Sequence, residues 1–181
     1  MTSLDKITLG GGCFWCLEAM FNRLNGVSLV RSGYSGGTKE NPTWAQVCSG
    51  ETSHAEVCEI HFDSSIISLD SLLEVFWGIH DPTTLNKQGH DVGTQYRSVV
   101  FCENEMQMQI VLNSKTHANT NFRNNVVTEV KLRTNFYSAG EYHDSYYELN
   151  KNQPYCQFVV SPKLTKLFAQ FPEYLKNEIK F

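Results

Sequence analysis

Gly10-Gly11-Gly12-Cys13-Phe14-Trp15-Cys16-Leu17-Glu18 is the stretch around which the rest of the chain is arranged. Ahead of it, Lys6-Ile7-Thr8-Leu9 reads as a short β-branched strand. Behind it, Leu17, Met20, Phe21 and Leu24 recur at the i, i+3, i+4, i+7 spacing of one helical face. Cys13 is therefore expected where a strand turns into a helix. The first turn of a helix offers unpaired N–H groups and the positive end of its dipole, and both favour a thiolate. An ordinary thiol near pKa 8.5 is only about 3 % ionised at pH 7, so a depression of about two units makes Cys13 mostly anionic and a candidate nucleophile. The three glycines are expected to leave room for a substrate beside the sulfur. Phe14 and Trp15 lie off the apolar stripe and are candidates to line a pocket, while a plain buried cysteine at a tight turn is the competing reading.

With 181 residues, 41 % hydrophobic and 19 % charged, the chain is long enough to bury one full core, and a single domain over residues 1–181 is expected. A net charge of -4 and the lack of any Lys/Arg cluster of five argue against nucleic acid or an anionic membrane as partner. The start shows no signal-peptide pattern and no run of 18 apolar residues occurs, so a cytoplasmic protein, monomeric by default, is expected. The six cysteines, at 13, 16, 48, 58, 102 and 156, are too few for a disulfide scaffold at this length. They suggest redox or catalytic use of some thiols in a reducing compartment.

Outward from the glycine turn, Asn25-Gly26 ends the first helix and Val27 to Tyr34 reads as a strand. Asn41-Pro42-Thr43 opens a helical turn through Val47. In the strand Ala55 to Phe62, Glu56 shares a face with Cys58, Ile60 and Phe62. If that face is buried, desolvation raises the Glu56 pKa and keeps it protonated, as a general acid must be; if Glu56 is at a wet strand end, it is an ordinary carboxylate. Leu69, Leu72, Leu73, Phe76, Trp77 and His80 form one helical face, capped by Ser68 and stopped by Asp81-Pro82, with His80 expected to hydrogen-bond the helix end. A polar loop, 83–95, delivers His90, Asp91 and Tyr96 to a strand at Arg97 to Phe101. A weakly amphipathic helix from Glu103 to about Phe122 and a strand near Val130 to Leu132 follow. Beyond the aromatic segment Phe136 to Tyr147, Tyr155 to Val160 alternates like an edge strand, and Lys163 to Phe171 reads as a terminal helix. The order strand, helix, strand, strand, helix, strand over residues 6–101 predicts an α+β, ferredoxin-like two-layer sandwich with a mixed sheet and a C-terminal extension.

Three chemistries compete for Cys13. A thioredoxin-like dithiol exchanger fits Cys13-Phe14-Trp15-Cys16, but 12 residues are too few to hold the strand, helix and strand that precede the motif in that fold. A zinc site fits His54-Ala55-Glu56 as H-x-E, but the downstream P-C-x-x-C of the zinc deaminases is missing. No metal or other cofactor is expected. A non-enzymatic binding module leaves the glycine-flanked thiol unexplained.

The third chemistry emerges when the motifs are read together. Gly11-Gly12-Cys13-Phe14-Trp15-Cys16-Leu17-Glu18, Gly33-Tyr34-Ser35-Gly36-Gly37, Asn41-Pro42-Thr43-Trp44, Val47-Cys48-Ser49-Gly50, His54-Ala55-Glu56-Val57, 76–83 (FWGIHDPT) and 88–98 (QGHDVGTQYRS) follow one another as in the A-type peptide methionine sulfoxide reductases. These seven ordered blocks make the resemblance specific over about residues 7–160. It implies that Cys13 attacks the sulfoxide sulfur, that Glu56 protonates the leaving oxygen, and that Tyr34 and Tyr96 donate hydrogen bonds to it. It further implies that Phe14 and Trp15 wall the substrate methyl, that Asp91 holds the substrate backbone, and that His143 and Tyr146 stand by the pocket. The implied substrates are oxidised proteins and free methionine sulfoxide. The implied product on the enzyme is a Cys13 sulfenic acid, resolved by a second thiol and recycled by a thioredoxin-type reductant. The chain departs from the common pattern in having Cys16 where many members have Gly, in having His90 where Asn is more usual, and in having no glycine after Gly140 to build a swinging tail. Cys156 matches the usual resolving position, and Cys16, one helical turn from Cys13, is the local alternative.

Overall fold

The computed structural model describes residues 4–123 and 125–177. Its central strand, β1 (Asp5–Gly10), has antiparallel neighbours on both sides, β3 (Ala55–Phe62) and β6 (Val99–Cys102). β2 (Val27–Ser35) pairs antiparallel with β3. The order β6-β1-β3-β2 is the expected ferredoxin-like core. Two strands widen it: β7 (Glu129–Leu132), parallel to β6, and the two-residue β8 (Tyr137–Ser138), beside β2. The result is a six-stranded mixed sheet, β7-β6-β1-β3-β2-β8. A separate small hairpin, β4 (Lys87–Gln88) with β5 (Asp91–Val92), lies in the 83–95 loop.

The helices are set by the expected local signals. In α1 (Phe14–Phe21), Leu17, Met20 and Phe21 are buried against the sheet, and Leu24 beyond its end is buried too. Thr43 and Gln46 form a capping box at the start of α2 (Trp44–Cys48), each side chain accepting from the other's backbone N–H. The Ser68 hydroxyl accepts from the Ser71 N–H at the start of α3 (Leu69–Ile79). The exposed, weakly amphipathic α4 (Glu105–Asn121) covers β6 and β7 and buries only Val111 and Ala118.

Both faces of the sheet are covered. The helix side holds the main core, including Ile7, Leu9, Leu17, Phe21, Ile60 and Phe76, all fully buried. On the other side Ala55, Val57, Val99 and Phe101 make a smaller apolar cluster beneath Phe136. This explains why β3 is buried on both faces although its sequence alternates.

The expected edge strand at Tyr155 to Val160 is not a strand. Tyr155 is in the right-handed helical region, Cys156–Val160 is a π-helical turn, and it runs directly into α6 (Ser161–Gln170). Six residues of alternating character fit either period, and burial decides between them. Cys156, Val160, Leu164, Leu167 and Phe171 are all buried, a single helical stripe that crosses the supposed break at Ser161-Pro162. The stripe packs on α1 and α3, and Phe171 fills the space above Gly78. A four-residue helix, α5 (Tyr146–Leu149), also rests on α1.

Candidate active site

Cys13 caps the N-terminus of α1 with extended backbone, immediately after the glycine turn. The turn is closed by packing. Gly12 adopts φ +94°, donates its N–H to the Tyr96 carbonyl at 3.2 Å, and lies against the Gln88 side chain. Gln88 is locked by a reciprocal pair: its Oε1 accepts from the Asp81 N–H and its Nε2 donates to the Asp81 carbonyl, both at 3.0 Å. Gly11 lies against Phe76 and His80, and Gly10 against Val99 and Val57. The glycines therefore admit the protein's own side chains and not, as the sequence suggested, a substrate.

Glu56 stands opposite Tyr34 in the β2/β3 register, and its Oε2 accepts the Phe14 backbone N–H at 3.2 Å. One of the unpaired N–H groups at the helix start thus points at the acid and not at the thiol. Glu56 is 2 % exposed, and burial drives its pKa up to about 8 against the opposing hydrogen bonds from Phe14 and from the Trp44 side chain. It is a neutral acid at pH 7. Tyr34 is 1 % exposed, and its hydroxyl is buried without a hydrogen-bond partner among the described residues. Tyr96 is half-buried. Burial and then the nearby Glu56 push both phenols up, so both remain donors.

The thiols depart from expectation. Burial pushes the Cys13 thiol well up, and its hydrogen bond to Cys16 and the charge of Glu56 add to this. A helix N-terminus does not offset the loss of water around a residue only 6 % exposed. Of the pair, Cys16 is the sulfur that ionises more readily. The Cys13 thiol hydrogen-bonds to it and the Lys163 Nζ, on α6, lies 3.4 Å from its Sγ, bringing it down to about 7 against the cost of burial. The Tyr155 hydroxyl sits beside it, 4.0 Å from the Cys16 Sγ, and donates to the Asp91 Oδ2 at 2.8 Å. The Asp91 carboxylate, expected to hold substrate, is thus engaged with a tyrosine. Cys156 is fully buried on the π-helical turn, where burial pushes its thiol up.

An aromatic wall stands over the start of α1. The Trp15 indole stacks on Tyr146 with ring centroids 3.7 Å apart and planes 7° apart, and its Nε1 donates to His143 Nδ1 at 3.2 Å. Accepting at Nδ1 makes His143 neutral with its proton on Nε2. Phe14, expected to line the pocket with Trp15, is fully buried behind it, wedged between Tyr34 and His143 at 5.8 and 5.2 Å. Trp44 is 44 % exposed, 5.9 Å from His143, and forms the outer rim. Glu18, buried beneath the wall, accepts the Ser145 N–H at 2.8 Å and holds the segment bearing His143 and Tyr146.

The structure thus brings Cys13, Glu56, Tyr34, Tyr96, Trp15, His143, Tyr146 and Cys16 together. His54 of the H-x-E pair is otherwise occupied: its Nδ1 accepts from the Gly37 N–H and its Nε2 donates to the Lys39 carbonyl. Among the described residues no three His, Cys, Asp or Glu side chains are grouped to hold a metal ion. His80 bonds the Phe76 carbonyl through Nδ1, as its place at the helix end suggested. Sequence reasoning missed Trp44, Tyr155, Glu18 and Lys163. Trp44 and Glu18 were inside quoted motifs, and Tyr155 precedes Cys156, but nothing local marks Lys163.

The family profile described as peptide methionine sulfoxide reductase matches residues 5–174. The peptide methionine sulfoxide reductase MsrA of Saccharolobus solfataricus is 50 % identical over 173 residues, 96 % of this chain and 98 % of that protein. The crystal structure of reduced Mxr1 from Saccharomyces cerevisiae superposes with a TM-score of 0.79 at 33 % identity, covering 84 % of this chain and 89 % of that one. Mxr1 in complex with Trx2 superposes with a TM-score of 0.56 at 25 % identity, covering 79 % and 84 %.

Proposed function

Because this chain belongs to the peptide methionine sulfoxide reductase family, we propose that its site at the start of α1 reduces methionine S-sulfoxide, free and in oxidised proteins, with Cys13 as nucleophile and Glu56 as acid. The observation that carries the assignment is the neutral, buried Glu56 carboxyl bound to the N–H next to Cys13, with the unpartnered Tyr34 hydroxyl opposite it. A sulfoxide sulfur becomes attackable only as its oxygen takes up a proton. An acid that is protonated at pH 7 and two phenols that stay protonated supply what that oxygen needs.

As the Cys13 sulfur attacks, Glu56 gives its proton to the sulfoxide oxygen, and Tyr34 and Tyr96 donate to the same oxygen. Collapse releases methionine and leaves Cys13 as a sulfenic acid. The proton given up by the Cys13 thiol restores Glu56. Trp15, held by Tyr146 and His143, is the wall for the substrate methyl, a contact worth on the order of 1 kcal/mol. A second thiol, Cys16 or Cys156, closes a disulfide on Cys13, and a thioredoxin-type protein reduces it. The Mxr1–Trx2 complex supports a donor of that kind. Such a cycle suits a monomer in a reducing compartment such as the cytoplasm, and all six cysteines are free thiols here. Among the described residues no helix is long and apolar enough to cross a membrane.

The test is turnover of a methyl sulfoxide with dithiothreitol. Wild type should release methionine and Cys13→Ser should not; insulin disulfide reduction in place of sulfoxide turnover would instead support dithiol exchange and refute the proposal.

A further inference from the structure

The contact between Lys163 and Cys16 joins two elements far apart in the chain, α6 and α1, at a thiol that has no place in the attack on the sulfoxide. Cys16 is fully buried, and a buried thiol with no cation nearby is normally inert. Here an ammonium group lies 3.4 Å from the sulfur. The backbone N–H of Cys16 donates to the Cys13 carbonyl at 3.1 Å, so the two cysteines are one helical turn apart with hydrogen-bonded sulfurs. At Cys156 burial and the nearby Cys16 raise the thiol, and among the described residues no cation offsets them.

We propose that Lys163 is a positioning residue that holds Cys16 as the thiolate that resolves the Cys13 sulfenic acid. The inference rests on the sulfoxide-reductase reading above and names the thiol and the cation of its second step. The Cys16 thiolate attacks the Cys13 sulfur, the Cys13 S–O bond breaks as the S–S bond forms, and hydroxide leaves and takes a proton from solvent. The Cys16 sulfur is oxidised and the Cys13 sulfur reduced. The titratable groups around Cys16 are Cys13 and Tyr155 in contact, Lys163 on α6, and Glu56, Cys58 and Cys156 farther away. Of these, Lys163 alone brings a positive charge.

Removing that charge has a signature that a packing defect does not. If Lys163→Met returns Cys16 to an ordinary pKa near 8.5, its thiolate fraction at pH 7 drops roughly fifteenfold, but the more basic thiolate is intrinsically about fivefold more nucleophilic. Disulfide formation should then be about threefold slower than wild type at pH 7 and about sixfold slower at pH 6, yet faster than wild type above about pH 8. Lys163→Arg should restore the wild-type profile.

The experiment gives each protein one equivalent of methionine sulfoxide without reductant and follows methionine release and disulfide formation separately by quenched mass spectrometry. Wild type and Cys156→Ser should both yield a Cys13–Cys16 disulfide, and Lys163→Met should give the crossed pH profile; Lys163→Gln provides the same comparison if the methionine variant does not fold. A Cys13–Cys156 disulfide in wild type, or parallel pH profiles with and without the charge, would overturn the inference while methionine release leaves the first step standing. No methionine release by wild type would overturn both readings together.

Discussion

The Glu56 carboxyl accepts the backbone N–H of Phe14 at 3.2 Å, which fastens a strand-borne acid to the helix entrance occupied by Cys13. The bond spans 42 residues, and it ties Glu56 to the residue next to Cys13 through backbone and not through a loop.

Glu56→Gln is expected to lower kcat on the order of a hundredfold without unfolding the protein, because the amide keeps an acceptor for Phe14 but has no proton to give. The wild-type rate should fall as pH rises through about 8, where Glu56 ionises. Stability follows the same group. The unfolded carboxyl ionises near 4.3, so between about 4.3 and 8 the folded state holds the extra proton. Stability therefore falls as pH rises across that window and levels off above it. Urea denaturation at pH 5 and pH 8 should show a smaller difference for Glu56→Gln than for wild type.

Tyr34→Phe is expected to separate activity from stability. The hydroxyl has no hydrogen-bond partner among the described residues, so its removal should leave the denaturation midpoint unchanged or raise it, by up to about 1 kcal/mol. The same change should lower kcat on the order of tenfold or more, as loss of one donor to the departing oxygen. A fall in kcat accompanied by destabilisation would remove Tyr34 from that role.

Glu18→Ala should loosen the aromatic wall. Glu18 is held up at about 7, chiefly by burial, and it accepts from the Ser145 N–H. Ser145 itself takes the left-handed conformation at φ 53°. Without the acceptor, hydrogen exchange at the Ser145 amide should accelerate and KM should rise several-fold more than kcat falls. Glu18→Gln should retain the wild-type KM. It should also remove a loss of stability that, for wild type, develops as pH rises from the ordinary carboxylate range through about 7.

Gly12→Ala and Gly89→Ala should differ although both glycines have positive φ. A Cβ at Gly12 would lie 2.7 Å from the Gln88 Cγ and push it off Asp81, whereas at Gly89 it meets nothing within 4 Å. Urea denaturation should give on the order of 1 kcal/mol for Gly89→Ala, the backbone strain alone, and at least twice that for Gly12→Ala.

The junction at Cys13 and the capped stripe of α3 were legible in sequence because each is a local pattern whose period or cap has one physical solution. The same is true of the β-α-β-β-α-β order, which leaves few topologies. The alternation of β3, by contrast, left Glu56 either buried or at a wet strand end until packing on both faces of the sheet buried it. Residues 155–160 were not legible, since six alternating residues satisfy both periods until α1 and α3 supply the surface that buries Cys156 and Val160. The charge state of the thiols was not legible either. A helix dipole is visible in sequence, but the desolvation that outweighs it at Cys13, and the ammonium of Lys163 that adds to the Cys13 hydrogen bond in lowering Cys16, arise only when the chain packs around α1. Local periodicity and motif order thus determined the fold and the places of Cys13 and Glu56 at the start of α1 and on β3, while the ionisation of the sulfurs was decided by tertiary packing, because burial and through-space charge depend on what the chain brings near and not on what precedes or follows a residue.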